Sequence, residues 1–289
     1  MAAARLLVLV LAALLAGCGS GAPGSANPMA PPHPSATPSS TAPSEAALPT
    51  GIPVAGGPPV NGKPWFLAVG DSVTFGTSAD PARAGHNDSW PVQLQALLAA
   101  RGQRWQLVDT ACPGETTVTY SSRCPRRDQV PFLADASQRQ VALAAVSAHR
   151  ADLRLILVDL GSNDLLRAQR AGSSVDQVAN TLRVNLTTIV GDLEAAAPGV
   201  PVVVANYYDP LENAAPKTVP QLQLVNRLVA SIAAGAHAAL ADFFAAINTP
   251  SAPDPDLCLY VDCAHLDVHP TVAGHARLAR AALAVIPPG

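Results

Sequence analysis

From Trp65 to the end of the chain, short continuous apolar runs alternate with longer amphipathic stretches. Continuous apolar runs are typical of strands buried on both faces of a sheet, and an apolar stripe with helical spacing predicts a helix packed on that sheet. The pattern predicts strands at Trp65–Val69, Gln106–Val108, Leu153–Leu160 and Val200–Ala205, a weak strand near Leu240, and helices at Trp90–Arg101, Ser137–Arg150, Val175–Ala197, Val219–Ala234 and Thr271–Val285. This alternation indicates an α/β fold of three layers, α/β/α, with a central, mostly parallel sheet in one domain over residues 64–289.

The start of the chain has a different pattern. A weakly basic beginning is followed by an apolar run of about ten residues, Leu6–Leu15, whereas a membrane-spanning helix needs roughly 20. Such a run is typical of a signal peptide, here residues 1–17. Leu15-Ala16-Gly17-Cys18 resembles a bacterial lipobox, which predicts a lipid on the Cys18 thiol. A plain signal peptide with an incidental Cys is the alternative.

Residues 18–63 are dominated by Pro, Ser, Ala, Gly and Thr and show no apolar period. A stretch of this composition buries too little surface to offset its chain entropy, so it is predicted to be a disordered tether after the lipidated Cys. The protein is therefore expected to be exported and anchored by lipid at the extracytoplasmic face of the cell membrane, with no other membrane contact.

The overall composition indicates a globular protein and argues against a nucleic-acid-binding one. With 49% hydrophobic and 13% charged residues the chain can form a large core, and with a formal net charge of -3 and no basic run it is not expected to bind nucleic acid.

Beyond Cys18 an even set of cysteines is left, which in an oxidising compartment predicts disulfides. Local pairing is favoured, Cys112 with Cys124 and Cys258 with Cys263, because each pair lies in one loop segment. A zinc site is the alternative, but the spacing does not fit one well.

Polar motifs follow the predicted strands, where open parallel sheets place their ligands. Gly70-Asp71-Ser72 follows the first strand, Cys112-Pro113-Gly114 the second and Gly161-Ser162-Asn163-Asp164 the third. Each has a structural alternative: Ser72 is a good helix N-cap, and Gly, Ser, Asn and Asp are common turn residues.

A histidine precedes the last predicted helix. Asp267-Val268-His269-Pro270 places an imidazole at a loop–helix junction beside a carboxylate, and Pro270 suits the first helical position. His265 and His275 are expected to be surface or loop residues.

Together these four motifs, in this order, resemble the SGNH (GDSL-like) hydrolase superfamily, in its bacterial secreted esterase and lipase branch. The resemblance extends from Phe66 to Val285 and implies a flavodoxin-like sheet and an ester hydrolase that needs no metal or organic cofactor. It implies that Ser72 is the nucleophile, that His269 is the base, and that Ser72, Gly114 and Asn163 form the oxyanion hole.

One position departs from the family pattern. The family has Asp three residues before the His, where this chain has Leu266, and the nearest carboxylate is Asp267, two residues before. Neighbouring positions of an extended loop point to opposite sides. Asp267 is predicted as the orienting acid, with Asp262 or a backbone carbonyl near Leu266 as alternatives.

The resemblance implies hydrolysis through an acyl-enzyme, with a small-molecule, lipid or glycan ester as substrate. Two alternatives stay open at this point: a non-catalytic envelope protein that binds glycan or lipid in the same crevice, and an acyltransferase on the same scaffold. The acyl chain, the alcohol portion and the oligomeric state are not specified by the sequence.

Overall fold

A computed structural model describes residues 57–78, 88–249 and 253–288. The predicted signal peptide, Cys18 and the tether as far as residue 56 lie outside the described residues. Residues 57–63, assigned above to the tether, contact the domain: the Val60 N–H donates to Gln106 Oε1 at 3.2 Å and the Gly62 N–H to Asp152 Oδ2 at 2.8 Å. Ordered packing therefore begins before Pro64.

A parallel sheet forms the centre of the domain. Its strands are β1 (Trp65–Gly70), β2 (Gln106–Asp109), β3 (Leu153–Asp159), β4 (Val202–Ala205) and β5 (Ala239–Ala241). They lie in the order β2-β1-β3-β4-β5, and every neighbouring pair is parallel. This is the flavodoxin-like order, in which the chain reverses its direction of winding between β1 and β3 and leaves a crevice at their carboxyl ends.

All five predicted helices are present, with bounds that differ by one residue at most, and the described residues form four more. In chain order the helices are α1 (Ser72–Phe75), α2 (Trp90–Ala100), α3 (Gln138–His149), α4 (Ser162–Ala171), α5 (Val175–Ala196), α6 (Thr218–Gly235), α7 (Phe243–Ile247), α8 (Leu257–Tyr260) and α9 (Val272–Val285). The starts of α3 and α5 follow from local chemistry, because Ser137 and Ser174 each form a capping box with the Gln three residues later. No helix within these ranges has the length and hydropathy needed to cross a bilayer.

The two faces of β1 show how the three layers arise. Trp65, Leu67 and Val69 belong to the core cluster that includes α3, α5 and α6. Phe66 and Ala68 belong to the opposite cluster, with α2, α7 and α9. Since successive side chains of a strand point to opposite faces, a strand that is apolar throughout carries helices on both sides. The predicted three-layer fold is confirmed.

The structure corrects the sequence predictions at two places near the site. Helix α4 begins at Ser162, directly after β3. No helix was predicted there, because the residues Gly161, Ser162, Asn163 and Asp164 are common in turns. Helix α9 begins at Val272 with Thr271 as N-cap, so Pro270 precedes the helix instead of filling its first position.

His275 was expected to be a surface or loop residue, and this expectation is wrong. It lies in α9, fully buried, with Nε2 3.2 Å from the Thr77 carbonyl oxygen. Burial lowers the pKa of His275 to about 4, so the ring is neutral at pH 7 and can donate only one hydrogen bond. Its role is to join α9 to the segment after α1. His265, by contrast, is exposed, as predicted.

Both local disulfides form, between Cys112 and Cys124 and between Cys258 and Cys263. The first closes the loop after β2 that contains Gly114. The second lies in the segment from α8 toward His269. Each disulfide therefore constrains a loop that reaches the carboxyl edge of the sheet. In the part of the chain described by the structure, no group of three or more His, Cys, Asp or Glu side chains is arranged to hold a metal ion.

Candidate active site

Ser72 stands at the first turn after β1. The N-cap of α1 is Asp71, whose Oδ1 accepts from the Val73 N–H at 2.9 Å, so the Ser72 side chain is not used as a helix cap. As the first residue of a helix, Ser72 has a backbone N–H without an intrahelical acceptor. The hydroxyl and the N–H of one residue are thus both presented at the crevice.

His269 connects the serine to a carboxylate. Its Nε2 lies 3.0 Å from Ser72 Oγ, and its Nδ1 lies 2.6 Å from Asp267 Oδ1. The three side chains therefore form the hydrogen-bonded series hydroxyl, imidazole, carboxylate, in which the carboxylate fixes the tautomer that leaves Nε2 free to accept the serine proton.

Asp267 reaches His269 through a local turn. Its Oδ1 accepts from the His269 N–H at 3.0 Å, which is the contact of an Asx turn, where a side chain bonds to the backbone two residues on. The same oxygen is thereby placed beside Nδ1 of the ring. Asp262, the alternative acid, instead pairs with His265 Nδ1 at 2.6 Å.

A tyrosine after β4 holds the histidine loop from the opposite side. The Tyr208 hydroxyl donates to the Val268 carbonyl at 2.7 Å. The peptide next to His269 is therefore fixed from the sheet as well as from its own loop. This contact could not be predicted from the sequence, because Tyr208 and Val268 are far apart along the chain.

Asn163 lies at the start of α4, beside Asp71. Its Nδ2 donates to Asp71 Oδ2 at 3.1 Å, and the Ser162 hydroxyl donates to the same oxygen. An amide nitrogen carries two hydrogens, so one N–H of Asn163 orients the side chain and the other is left for a substrate oxygen. Asn163 and Ser72 both line the cleft.

Gly161 makes the close approach of α4 to the sheet possible. It has a φ of 125°, and a Cβ there would lie 2.1 Å from the Tyr207 hydroxyl oxygen. That hydroxyl donates to the Leu160 carbonyl at 2.7 Å. Any larger residue at Gly161 would displace Tyr207 and move Asn163 away from Asp71.

Gly114 enters the same cleft from the loop after β2. With a φ of 76° it adopts the left-handed conformation that glycine tolerates best. Its carbonyl oxygen accepts from Arg167 Nη2 at 3.0 Å. Among the described residues, the Gly114 N–H has no acceptor. The structure thus brings Ser72, Gly114 and Asn163 together around one cleft, as the sequence predicted.

Acidic side chains are buried behind these groups. Burial raises the pKa of Asp159 to about 8, and the charge of Asp71 acts in the same direction, while donors from Thr74 and Trp90 lower it. Burial also raises the pKa of Asp71, and hydrogen bonds from Ser162 and Val73 oppose this. Burial raises the pKa of Glu115, in the Gly114 loop, to about 7. The site therefore rests on carboxyl groups that do not all ionise at neutral pH.

The cleft has a volume of about 860 Å³. Beyond Ser72 and His269 it extends along α4 to the first turns of α5 and α6. Its walls are mostly apolar, with Leu165, Leu166, Val178, Leu222 and Val225 among them. Helix α4 was not predicted although Leu165 also packs against the core, because the segment is short and mostly polar and begins with the turn residues Ser162, Asn163 and Asp164.

A serine, a histidine and an aspartate in this hydrogen-bonded series, on an α/β sheet, define the arrangement found in serine hydrolases. Over residues 68–277 the chain matches the GDSL-like lipase/acylhydrolase family, and it belongs to that family. It is accordingly an ester-hydrolysing enzyme with the SGNH hydrolase fold.

Solved structures show the same fold. The lipase Lip_vut3 from a goat rumen metagenome is 15% identical, with a TM-score of 0.56 over 78% of this chain and 99% of the other. A variant of an acetyl xylan esterase from Geobacillus stearothermophilus is 20% identical, with a TM-score of 0.51 over 79% and 96%. No curated protein matches the chain.

We predict that Asp159→Asn changes the pH dependence of stability. An unfolded Asp ionises near pH 4, whereas the folded Asp159 stays protonated up to about pH 8, so between these values rising pH favours the unfolded chain. The variant keeps an acceptor for Thr74 and Trp90 and loses this effect. Its free energy of unfolding in urea should therefore rise relative to the parent from pH 5 to pH 8, by at most about 1.4 kcal/mol per pH unit. A difference that stays constant with pH would contradict the buried, protonated carboxyl.

Proposed function

We propose that this chain is a serine hydrolase that cleaves carboxylic esters through an acyl-enzyme on Ser72. The observation that carries the proposal is the unbroken series from Ser72 Oγ to His269 and Asp267, with distances of 3.0 and 2.6 Å. A non-catalytic binding protein would have no need for a histidine held between a hydroxyl and a carboxylate.

The reaction begins when Ser72 Oγ attacks the ester carbonyl and His269 Nε2 takes the hydroxyl proton. The tetrahedral intermediate collapses, the alcohol leaves with the proton from His269, and the acyl group stays on Ser72 as an ester. Water then attacks the acyl-enzyme while His269 takes its proton, and His269 returns that proton to Ser72 Oγ as the acid leaves. Asp267 stabilises the imidazolium in both steps and does not take its proton.

The negative oxygen of each tetrahedral intermediate is held by the backbone N–H groups of Ser72 and Gly114 and by the amide of Asn163. Such donors act in the transition state because they are already oriented when charge develops. Asp71 is a positioning residue in this scheme, since it fixes the Asn163 amide and caps the helix that presents Ser72.

We also propose that the enzyme works at the extracytoplasmic face of the cell membrane, held by a lipid on Cys18. The lipobox-like segment before Cys18 and the two disulfides support export. A Cys18→Ala variant expressed in the native host should leave the membrane fraction, and unchanged membrane retention would contradict the anchor.

We predict that Ser72→Ala abolishes hydrolysis of p-nitrophenyl esters from acetate to palmitate. Asn163→Ala should lower kcat on the order of 100-fold, because one oxyanion donor is lost while the nucleophile stays. Release of p-nitrophenol by purified protein from residue 57 onward measures both, and circular dichroism checks folding. Full activity of Ser72→Ala would remove the proposal.

Adding competing alcohols and analysing the products separates hydrolysis from acyl transfer.

A second prediction separates the two candidate acids. Asp267→Asn should lower kcat by a factor on the order of 1,000 or more, because the amide favours the wrong imidazole tautomer. Asp262→Asn is the matched control, since its carboxylate contacts His265 instead. Equal losses in both variants, or a loss only in Asp262→Asn, would contradict the assignment of Asp267.

A further inference from the structure

The charged side chains at the cleft are unevenly distributed. Arg126, Arg167 and Arg170 line it and are exposed. The acidic side chains among the lining residues are Asp159 and Asp209, and both are buried. Asp209 accepts from the Leu211 N–H and the Thr218 hydroxyl, so it is turned into the protein. Although the chain has a formal net charge of -3, the charged side chains exposed at this cleft are cationic.

Two of these arginines flank the glycine of the oxyanion hole. Arg167 lies one helical turn after Asn163 on α4 and donates from Nη2 to the Gly114 carbonyl at 3.0 Å. Arg126 Cγ lies 3.8 Å from the position that a Cβ at Gly114 would occupy. Both side chains therefore lie beside Gly114, the residue to which an oxyanion N–H is assigned.

In the part of the chain that the structure describes, neither of the two guanidinium groups is held in a buried ion pair. Among the described residues, the Gly114 carbonyl is the one hydrogen-bond acceptor of Arg167, although a guanidinium has five N–H donors. Asp164 and Glu115 are close enough for their charges to act on Arg167, but neither hydrogen-bonds to it. Asp164 accepts from the Thr117 N–H and hydroxyl, and Glu115 accepts from the Thr119 hydroxyl. Arg126 contacts Asp128 at 3.4 Å, yet both side chains are more than half exposed, and such a pair contributes little.

We propose that the preferred substrate is an ester with an anionic group, phosphate or carboxylate, close to the ester bond. Arg167 and Arg126 bind that group, and the apolar portion of the substrate lies along α4, α5 and α6. This inference rests on the proposed function and adds a substrate class to it. Guanidinium groups suit the anion because their planar fork can donate two parallel hydrogen bonds to one phosphate or carboxylate.

The test compares matched pairs of esters. Decanoylglycerol is compared with decanoylglycerol phosphate, which places the charge on the alcohol, and p-nitrophenyl pentanoate with p-nitrophenyl hemiglutarate, which places it on the acyl group. At low ionic strength, kcat/KM should be at least about tenfold higher for the anionic member of one pair, mainly through KM. The preference should decrease as salt is added. The pair that shows it identifies the anion and the side of the ester that carries it.

The arginine variants test where the preference originates. Arg167→Gln and Arg126→Gln should each reduce the ratio of anionic to neutral kcat/KM several-fold, and Arg167→Lys should retain part of it. Arg104→Gln is the control for equal loss of charge, because Arg104 is exposed in the loop before β2, at the opposite edge of the sheet. A ratio near one in the parent enzyme, or one that falls equally in Arg104→Gln, would overturn the proposal.

A binding measurement removes the dependence on turnover. Dodecyl phosphate and laurate are titrated calorimetrically into Ser72→Ala and into Ser72→Ala with Arg167→Gln. At least one of the two ligands should bind about tenfold more weakly to the double variant. If each ligand binds the two variants with equal affinity, the anion site is overturned even where ester hydrolysis by Ser72 is established. Persisting hydrolysis in Ser72→Ala would instead overturn the proposed function.

Discussion

The buried carboxylate of Asp71 joins the end of β1 to the start of α4, and the geometry of the site depends on this link. It accepts from the Val73 N–H, the Ser162 hydroxyl and the Asn163 amide. A carboxylate removed from water is costly unless donors surround it. The same contacts that satisfy it cap the helix of the nucleophile and orient the oxyanion amide. Folding and catalytic geometry are therefore coupled at one side chain.

The topology of the sheet explains why these groups can meet. Because β1 and β3 are parallel neighbours at the point where the winding reverses, the segments after both strands open into one crevice. The loop after β2 adds Gly114, and the segment between α8 and α9 brings His269 back over Ser72 Oγ. Residues that are far apart along the chain thus lie within hydrogen-bonding distance.

Much of the fold could be predicted from the sequence, because buried strands and amphipathic helices have clear apolar periods. The apolar runs Trp65–Val69 and Leu153–Leu160 predicted two central strands, and the amphipathic stretches predicted five helices to within one residue of their bounds. Helix α4 was not predicted, since it is short and mostly polar and begins with residues that are common in turns. His275 was misjudged because a single polar residue in a helix does not reveal that its neighbours bury it.

The residues of the site could be predicted from the sequence, but most of the hydrogen bonds that hold them could not. The motifs indicated Ser72, Gly114, Asn163 and His269. That Asp267 contacts the imidazole while Asp262 contacts His265 depends on local turns, which hydrophobic periodicity does not encode. The roles of Asp71 and Tyr208 depend on hydrogen bonds between distant segments, which a single sequence does not reveal.

The most direct test of a nucleophilic Ser72 is covalent capture. An alkyl fluorophosphonate is incubated with the protein, and intact-mass and peptide mass spectrometry follow the adduct. A serine nucleophile displaces fluoride and forms a bond from Oγ to phosphorus, while His269 takes the proton. We expect one adduct per chain, on Ser72, formed far more slowly in His269→Ala. An adduct elsewhere with Ser72 unmodified, or none in folded protein that hydrolyses esters, would contradict the account.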